Sequence, residues 1–248
     1  SKINQLHVFQ NVSDSTGMFD NLNETLNNGQ PNFNSKMWIS QEAILQMEQG
    51  SRDGSIQFVS SFIKTIPEYP KCRKMCDLAG SAGHYSKAII SNNSSLNAHI
   101  LDLPEVVSLA SSLSNTESDR LFFHPFDIEK NEIPGNNYDL FFVSHFLYKY
   151  GIDGSLADIL KKINKSMIKG GIFISNHIST DAPPMYSLTM KLVELHTQCV
   201  GYPTHQLPEN VLSEALEQAG FENYIHQPPQ PGPAYPTLIV AARKIKEV

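Results

Sequence analysis

Three aspartates close successive apolar-rich runs: Asp77 after "KMC", Asp102 after "NAHIL" and Asp127 after "RLFFHPF". The first of them opens a turn of small residues, Asp77-Leu78-Ala79-Gly80-Ser81-Ala82-Gly83. A turn of this kind between a strand and a helix is where a parallel sheet receives a nucleotide. A pyrophosphate site needs G-x-G-x-x-G, and a P-loop needs a lysine followed by Ser or Thr. This turn has neither, and its acid comes before its glycines. A carboxylate there repels phosphate and suits a cation. An acid at the second strand end accepts hydrogen bonds from ribose hydroxyls. At the third, a carboxylate can take an adenine amino group.

Any one strand-end aspartate reads most simply as a helix N-cap. Three in succession point to a nucleoside that carries an ammonium and a sulfonium, S-adenosylmethionine. The expected contacts to it, or to its product S-adenosylhomocysteine, are Asp77, Ala79, Gly80, Ser81, Gly83, Asp102, Leu103, Asp127, Ile128 and Ser144.

The surrounding segments must bring these residues together. "KMCDLA", "NAHILDL", "RLFFHPFD", "YDLFFVSHFL" and "IFISNHI" read as strands, with helices between most of them. "PEVVSLASSL" has proline in its first turn. "SLADILKKINKSMIKGG" places Ile159, Leu160, Ile163 and Met167 inward, with Gly170 expected near its C-cap. "PPMYSLTMKLVELHTQC" and "PENVLSEALEQAGF" read as later helices, and "ENYIHQ" and "TLIVAARK" as a closing hairpin. Alternating strands and helices predict a mostly parallel α/β sheet with helices on both faces and an antiparallel C-terminal hairpin. Upstream, "FDNLNETLNNGQP" reads as a short helix stopped by Gly29 and Pro31. "MWISQEAILQMEQG" and "SIQFVSSFIKTI" read as two more, with Met37, Trp38 and Met47 either covering the pocket or, the preferred reading, packed in the core. The expected division is residues 1–35 as a helical or linker segment and 36–248 as the ligand-binding domain.

Composition sets further bounds. The chain has 248 residues and a net charge of −6, with its basic residues scattered, so a nucleic-acid surface is not expected. Its apolar runs are strand-length and its first residues hold no apolar signal core, so neither a membrane span nor secretion is expected. Cys72, Cys76 and Cys199 are an odd number of cysteines, which suits reduced thiols in a cytoplasm. There is no second Cys pair and no HExxH, so no metal site is expected.

Several stretches resemble one family, the S-adenosylmethionine-dependent O-methyltransferases of plant phenolic and bacterial natural-product metabolism. "DLAGSAGHYS" is similar to that family's D-x-G-G-G-x-G-x-x-S loop, with Ala79, Ser81 and Ala82 where glycines are common. "LDLPEVV" matches its second-strand motif. "FHPFDI" sits where the family contacts adenine, and "YDLFFVSHFLYKYGIDGSLADILKKINKSMIKGGIFI" follows its long strand-loop-helix-strand signature. With "LSEALEQAGF" and "FDNLNETLNNGQP", the resemblance covers residues 15 to 245. It implies a class I methyltransferase fold, a small-molecule methyl acceptor and a pocket shaped in part by Met185, Tyr186 and Met190. It also implies a winged-helix dimerisation domain upstream. No such segment precedes residue 15 in this sequence: either it has been cut away or the protein lacks it, and in the second case a homodimer weaker than the family norm is expected.

The catalytic residues depart from the family. Its general base is a histidine in "L-H-D-W" after the fourth strand, and the segment here reads Leu147-Tyr148-Lys149-Tyr150. The orienting acid after the fifth strand is replaced by Asn176 or His177, depending on a one-residue shift. The expectation is that His177 faces the acceptor as base, with Tyr148 opposite. His145 is either the reserve base or a packed residue. Asp153 and Asp158 read as helix N-terminal charges, and His196, His205 and His226 are assigned nothing. The function expected is methyl transfer to a small molecule. The alternative is a member that binds the cofactor but has lost transfer, or uses it as a scaffold for other chemistry.

Overall fold

The computed structural model describes residues 18–33, 39–41, 43–45, 47, 54–113, 118–180, 182–233 and 235–248. Its strands are β1 (Lys74–Leu78), β2 (Asn97–Asp102), β3 (Leu121–Pro125), β4 (Tyr138–Ser144), β5 (Met167–Ile178), β6 (Phe221–Gln227) and β7 (Thr237–Lys244). They form one sheet in the order β3-β2-β1-β4-β5-β7-β6. The four pairings from β3 to β5 run parallel, whereas β7 pairs antiparallel with both β5 and β6. The order reverses between β1 and β4, the switch point at which such sheets bind ligands.

The helices among the described residues include α1 (Met18–Asn28), α2 (Ser55–Lys64), α3 (His84–Ser91), α4 (Pro104–Leu113), α5 (Tyr148–Asp153), α6 (Leu156–Ser166), α7 (Ser187–Val200) and α8 (Glu209–Gln218). Side-chain alternation divides the core. Val59, Phe62 and Ile63 of α2 and Ile89 and Ile90 of α3 cover Met75, Leu140, Phe142, Ile172 and Ile174. On the other face, α5, α6 and α8 cover Phe141, Val143 and Phe173. This division decides which way strand-end polar groups point. Asp77, Ser144 and Asn176 share a parity with the first set, and Ser175 and His177 with the second.

α6 shows how local chemistry fixes an element. Leu156, Ile159, Leu160 and Ile163 are buried on one stripe. Asp153 Oδ1 accepts the Ser155 N–H at 2.9 Å just before the helix starts, the terminal role expected of that aspartate. At the other end, the buried Lys244 ammonium donates to the carbonyls of Asn164 and Met167, both at 2.8 Å. A cation at a helix C-terminus satisfies carbonyls that have no partner within the helix. The helix therefore stops at Ser166, not near Gly170. Met167 is buried as expected, but as the first residue of β5, opposite Tyr138. Gly170 (φ +80°) lies inside that long strand, beside the register shift between Tyr138 and Leu140.

The N-terminal segment packs on the domain. The Gln30 side chain donates to the Tyr202 carbonyl at 3.1 Å, and Phe33 meets the Tyr202 ring edge-on at 5.0 Å. Gly201 (φ +73°) is required there, because a Cβ would come within 2.2 Å of the Pro31 carbonyl oxygen. Met37 and Trp38 lie outside the described residues. Met47 is 37 % exposed, so it is not the core residue expected. All three cysteines are buried and free.

Candidate active site

The turn after β1 is built around Asp77. Ser86, on α3, donates its hydroxyl to Asp77 Oδ2 at 2.6 Å. Gly80 lies directly over the carboxyl group, where a Cβ would come within 2.6 Å of Cγ. Gly83 (φ +72°) faces Ile100, and a Cβ there would meet Ile100 Cδ1 at 2.5 Å. Ala79 (φ 57°) and Ser81 (φ 49°) also take the left-handed conformation, which costs L-residues energy. These are two of the positions where the resembled loop has glycine. Burial raises Asp77 to about 7, opposed by the Ser86 hydrogen bond and aided by the nearby Asp102 charge. Asp77 thus shapes the turn from beneath and is only 2 % exposed.

Asp102 is the acid that stays available. Its Oδ2 accepts the Ser81 N–H and its Oδ1 the Leu103 N–H, both at 2.8 Å. Burial raises its pKa, and these two bonds oppose the rise. A carboxylate has about four acceptor sites, so about two remain for a pair of ribose hydroxyls. Ser81 Oγ is buried without a hydrogen-bond partner in the protein. A turn held open by Gly80, an orphaned hydroxyl and an acid with spare lone pairs together fit an adenosyl ligand.

Asp127 is used differently. Its carboxylate accepts the Glu129 N–H at 3.0 Å and pairs with Lys130 at 2.8 Å, and these bonds hold it below the usual range. This is the local turn role weighed against the adenine contact. Ile128 is 5 % exposed and belongs to the core. At the end of β4, Ser144 Oγ accepts the Asn176 side-chain amide at 2.9 Å, and the opposite pairing of Ser144 with Asn176 settles the register. Asn176 therefore shares the face of Asp77 and Ser144, and His177 lies on the other face. Asn176 Oδ1 is buried without a partner.

Beyond β4, His145 (φ 54°) turns the chain and donates its backbone N–H to the Asn176 carbonyl at 2.9 Å. Its Nδ1 lies 2.7 Å from the Tyr148 hydroxyl, which also accepts the Ile178 N–H at 2.9 Å. His145 and Tyr148 are thus brought together, although α5 itself starts only at Tyr148. Tyr148 is fully buried, and burial raises its pKa far beyond reach of neutral pH. It is a latch between two strand ends and not a group open to an acceptor. His177 is 1 % exposed, with Nδ1 3.1 Å from Ser175 Oγ. Its Nε2 meets no partner at hydrogen-bonding geometry, although the Leu207 backbone lies near enough to oppose the fall of its pKa. Burial and then His145 push it down to about 3, so it stays neutral. A sealed ring does not face an acceptor, which corrects the expectation for His177.

Three residues escaped the sequence reading. Ser86 closes the matched loop motif, so its position carried a signal. Thr197 and His205 carried none: Thr197 Oγ1 lies 2.7 Å from His205 Nδ1, and the His205 ring packs against Tyr148 with centroids 5.8 Å apart. Met185 is 62 % exposed, Tyr186 is buried, and Met190 packs against the core. Among the described residues no group of three or more His, Cys, Asp or Glu side chains is placed to hold a metal ion.

A sheet of this order, with strand-end acids around a small-residue turn, defines an α/β domain of the class I methyltransferase type. The family model of the O-methyltransferase domain matches residues 19–222, and the chain belongs to that family. The match runs across the boundary expected at residue 35. The chain is 27% identical over 169 residues to acetylserotonin O-methyltransferase of Bos taurus, covering 63% of this chain and 46% of that protein. It is 25% identical over 141 residues to an uncharacterized protein of Methanocaldococcus jannaschii, covering 56% and 36%. The chain therefore spans less than half the length of either curated relative. Among solved structures, human N-acetylserotonin methyltransferase in complex with SAM superposes with a TM-score of 0.72, at 18% identity over 97% of this chain and 70% of that one. The mitomycin 7-O-methyltransferase gives 0.65, at 19% identity over 94% and 62%. Both likenesses bear on the fold.

Proposed function

We propose that this chain transfers a methyl group from S-adenosylmethionine to a hydroxyl of a small molecule. The observation that carries the reading is Asp102, held by the Ser81 and Leu103 N–H groups at the end of β2, one strand from the switch point, with acceptor capacity to spare. Asp102 would take the ribose hydroxyls. Gly80 and Ser81 would meet the amino-acid end of the ligand, with Asp77 fixing their turn from below. Ser144 and Asn176 would border the ligand at the ends of β4 and β5. When bound, S-adenosylmethionine supplies a methyl group already activated on a positive sulfur. The protein's share is then largely to position the acceptor and receive its proton.

The acceptor would enter on the side of α7 and the segment after it, where Met190 packs. Two of the similar proteins are named for acetylserotonin, which makes N-acetylserotonin a reasonable first probe. The buried free cysteines support a reducing cytoplasmic setting. No helix among the described residues is long and apolar enough to cross a membrane. Exposed Leu26, Leu45 and Met47 support a homodimer surface near the N-terminus. A second reading, cofactor binding without transfer, is favoured by one observation, the sealing of Tyr148 at the family's base position.

Calorimetry tests the main reading. S-adenosylmethionine and S-adenosylhomocysteine should bind, and Asp102→Ala should weaken both by about 1–3 kcal/mol, the usual effect of stranding buried hydrogen-bonding groups. Tight binding of a nicotinamide dinucleotide with neither adenosyl compound would overturn it. Release of S-adenosylhomocysteine with N-acetylserotonin or simple phenols separates transfer from binding alone.

A further inference from the structure

Hydrogen bonds around α5 and α7 decide which histidine nitrogen holds a proton. Tyr148 Oη already accepts the Ile178 N–H. A buried phenol has one hydrogen to give, and its other hydrogen-bond partner is His145 Nδ1 at 2.7 Å. That hydrogen therefore points to His145 Nδ1. Neutral His145 then carries its own hydrogen on Nε2 and is a donor there.

The second pair runs the other way. The Thr197 hydroxyl donates to the Val193 carbonyl at 2.6 Å. Toward His205 Nδ1, 2.7 Å away, it must accept. His205 thus carries its hydrogen on Nδ1, and its Nε2 keeps the lone pair. The same logic gives His177 no such part, because its ring is sealed inside the sheet layer. The His205 ring lies tilted against Tyr202, with centroids 4.5 Å apart, and meets Tyr148 edge-on, beside the position where the resembled family keeps its base.

We propose that His205 Nε2 is the proton acceptor of the reaction, with Thr197 as the residue that positions it. The proposal rests on the methyltransferase reading given above. The acceptor oxygen bonds to the methyl carbon while the carbon–sulfur bond breaks with its electron pair left on sulfur. The hydroxyl proton moves to His205 Nε2, and the imidazolium later returns it to water. One positive charge, first on sulfur, ends on the imidazole, so the net charge of the site is unchanged by the step. The ionisable groups around His205 are His196 on its own side, His145, and the phenols of Tyr148 and Tyr202. Burial first, then His196 and His145, hold it down to about 4, so the ring is neutral and able to accept at physiological pH.

Two measurements decide the matter. Long-range ¹H–¹⁵N NMR of the whole chain reads histidine tautomers without any ligand. It should show the Nδ1–H form for His205 and the Nε2–H form for His145. An Nε2–H form at His205 overturns the proposal, whatever the cofactor. The second measurement uses S-adenosylmethionine with phenols graded in acidity. His205→Gln should lower kcat about 10²–10⁴-fold for weakly acidic phenols, the usual worth of a general base, with a loss that shrinks as the phenol becomes more acidic. Thr197→Val should lower kcat with KM for the cofactor unchanged, and Thr197→Ser should restore it. A loss independent of phenol acidity, or no loss, overturns the base assignment. So does a wild type that binds the cofactor yet methylates no phenol. Failure to bind the cofactor instead sinks the reading on which the proposal rests.

Discussion

Replacing Asp77 by asparagine isolates the electrostatic cost of the turn. The carboxyl is 2 % exposed, is roofed by Gly80 and accepts one hydroxyl hydrogen bond, from Ser86. Its pKa is raised from 3.8 to about 7, chiefly by burial. A rise of that size disfavours the charged form by about 4 kcal/mol, at 1.36 kcal/mol for each tenfold step. The sign follows from proton counting. Between about pH 4 and pH 7 the folded state keeps this proton and the unfolded state has lost it. Stability from this group is therefore fully present below about pH 4 and falls as pH rises through about 7. Asparagine has the same shape, can still accept the Ser86 hydroxyl, and does not titrate. Urea unfolding of both proteins at pH 4.5, 6 and 7.5 should show similar stability at the lowest pH. Asp77→Asn should gain on wild type as pH rises, by up to about 4 kcal/mol. Comparing the two proteins cancels the titrating groups that do not interact with Asp77, which leaves Asp102 as the coupled one. Parallel pH profiles would refute the reasoning, because they would mean that Asp77 is ionised at little cost.

Ala79→Gly and Ser81→Gly release left-handed backbone strain at two positions, and each should stabilise the fold by up to about 1 kcal/mol after the added unfolded-state entropy of glycine; a fall in thermal midpoint would show that the turn is not strained there. Tyr148→Phe leaves the Ile178 N–H and His145 without their shared oxygen, so it should destabilise the chain by about 1–3 kcal/mol while cofactor affinity stays near wild type. Urea unfolding with calorimetry reads both quantities, and an unchanged stability would remove the latch.

Elements whose chemistry is local were legible from the sequence. The alternation of strands and helices, the α6 stripe of Leu156, Ile159, Leu160 and Ile163, and the turn from Asp77 to Gly83 are set by neighbours a few residues apart. Apolar periodicity and glycine placement record such constraints directly. So does the strand-end position of Asp102, because the last side chain of a parallel strand lies at the carboxyl edge of the sheet, where ligands bind. The end of α6 was not legible, because the group that closes it, Lys244, lies about 80 residues away in sequence. The same holds at the catalytic side. Which face of the sheet Asn176 and His177 each take depended on the pairing of β5 with β4, since a one-residue slip reverses every side chain of a strand. Tyr148 occupies the family's base position in the sequence, but only the Ile178 N–H, reached across the sheet end, makes it a buried latch. Thr197 and His205 form no motif; a helix end and a loop bring them together and set the His205 ring against Tyr148, and hydrogen-bond direction alone assigns their protons.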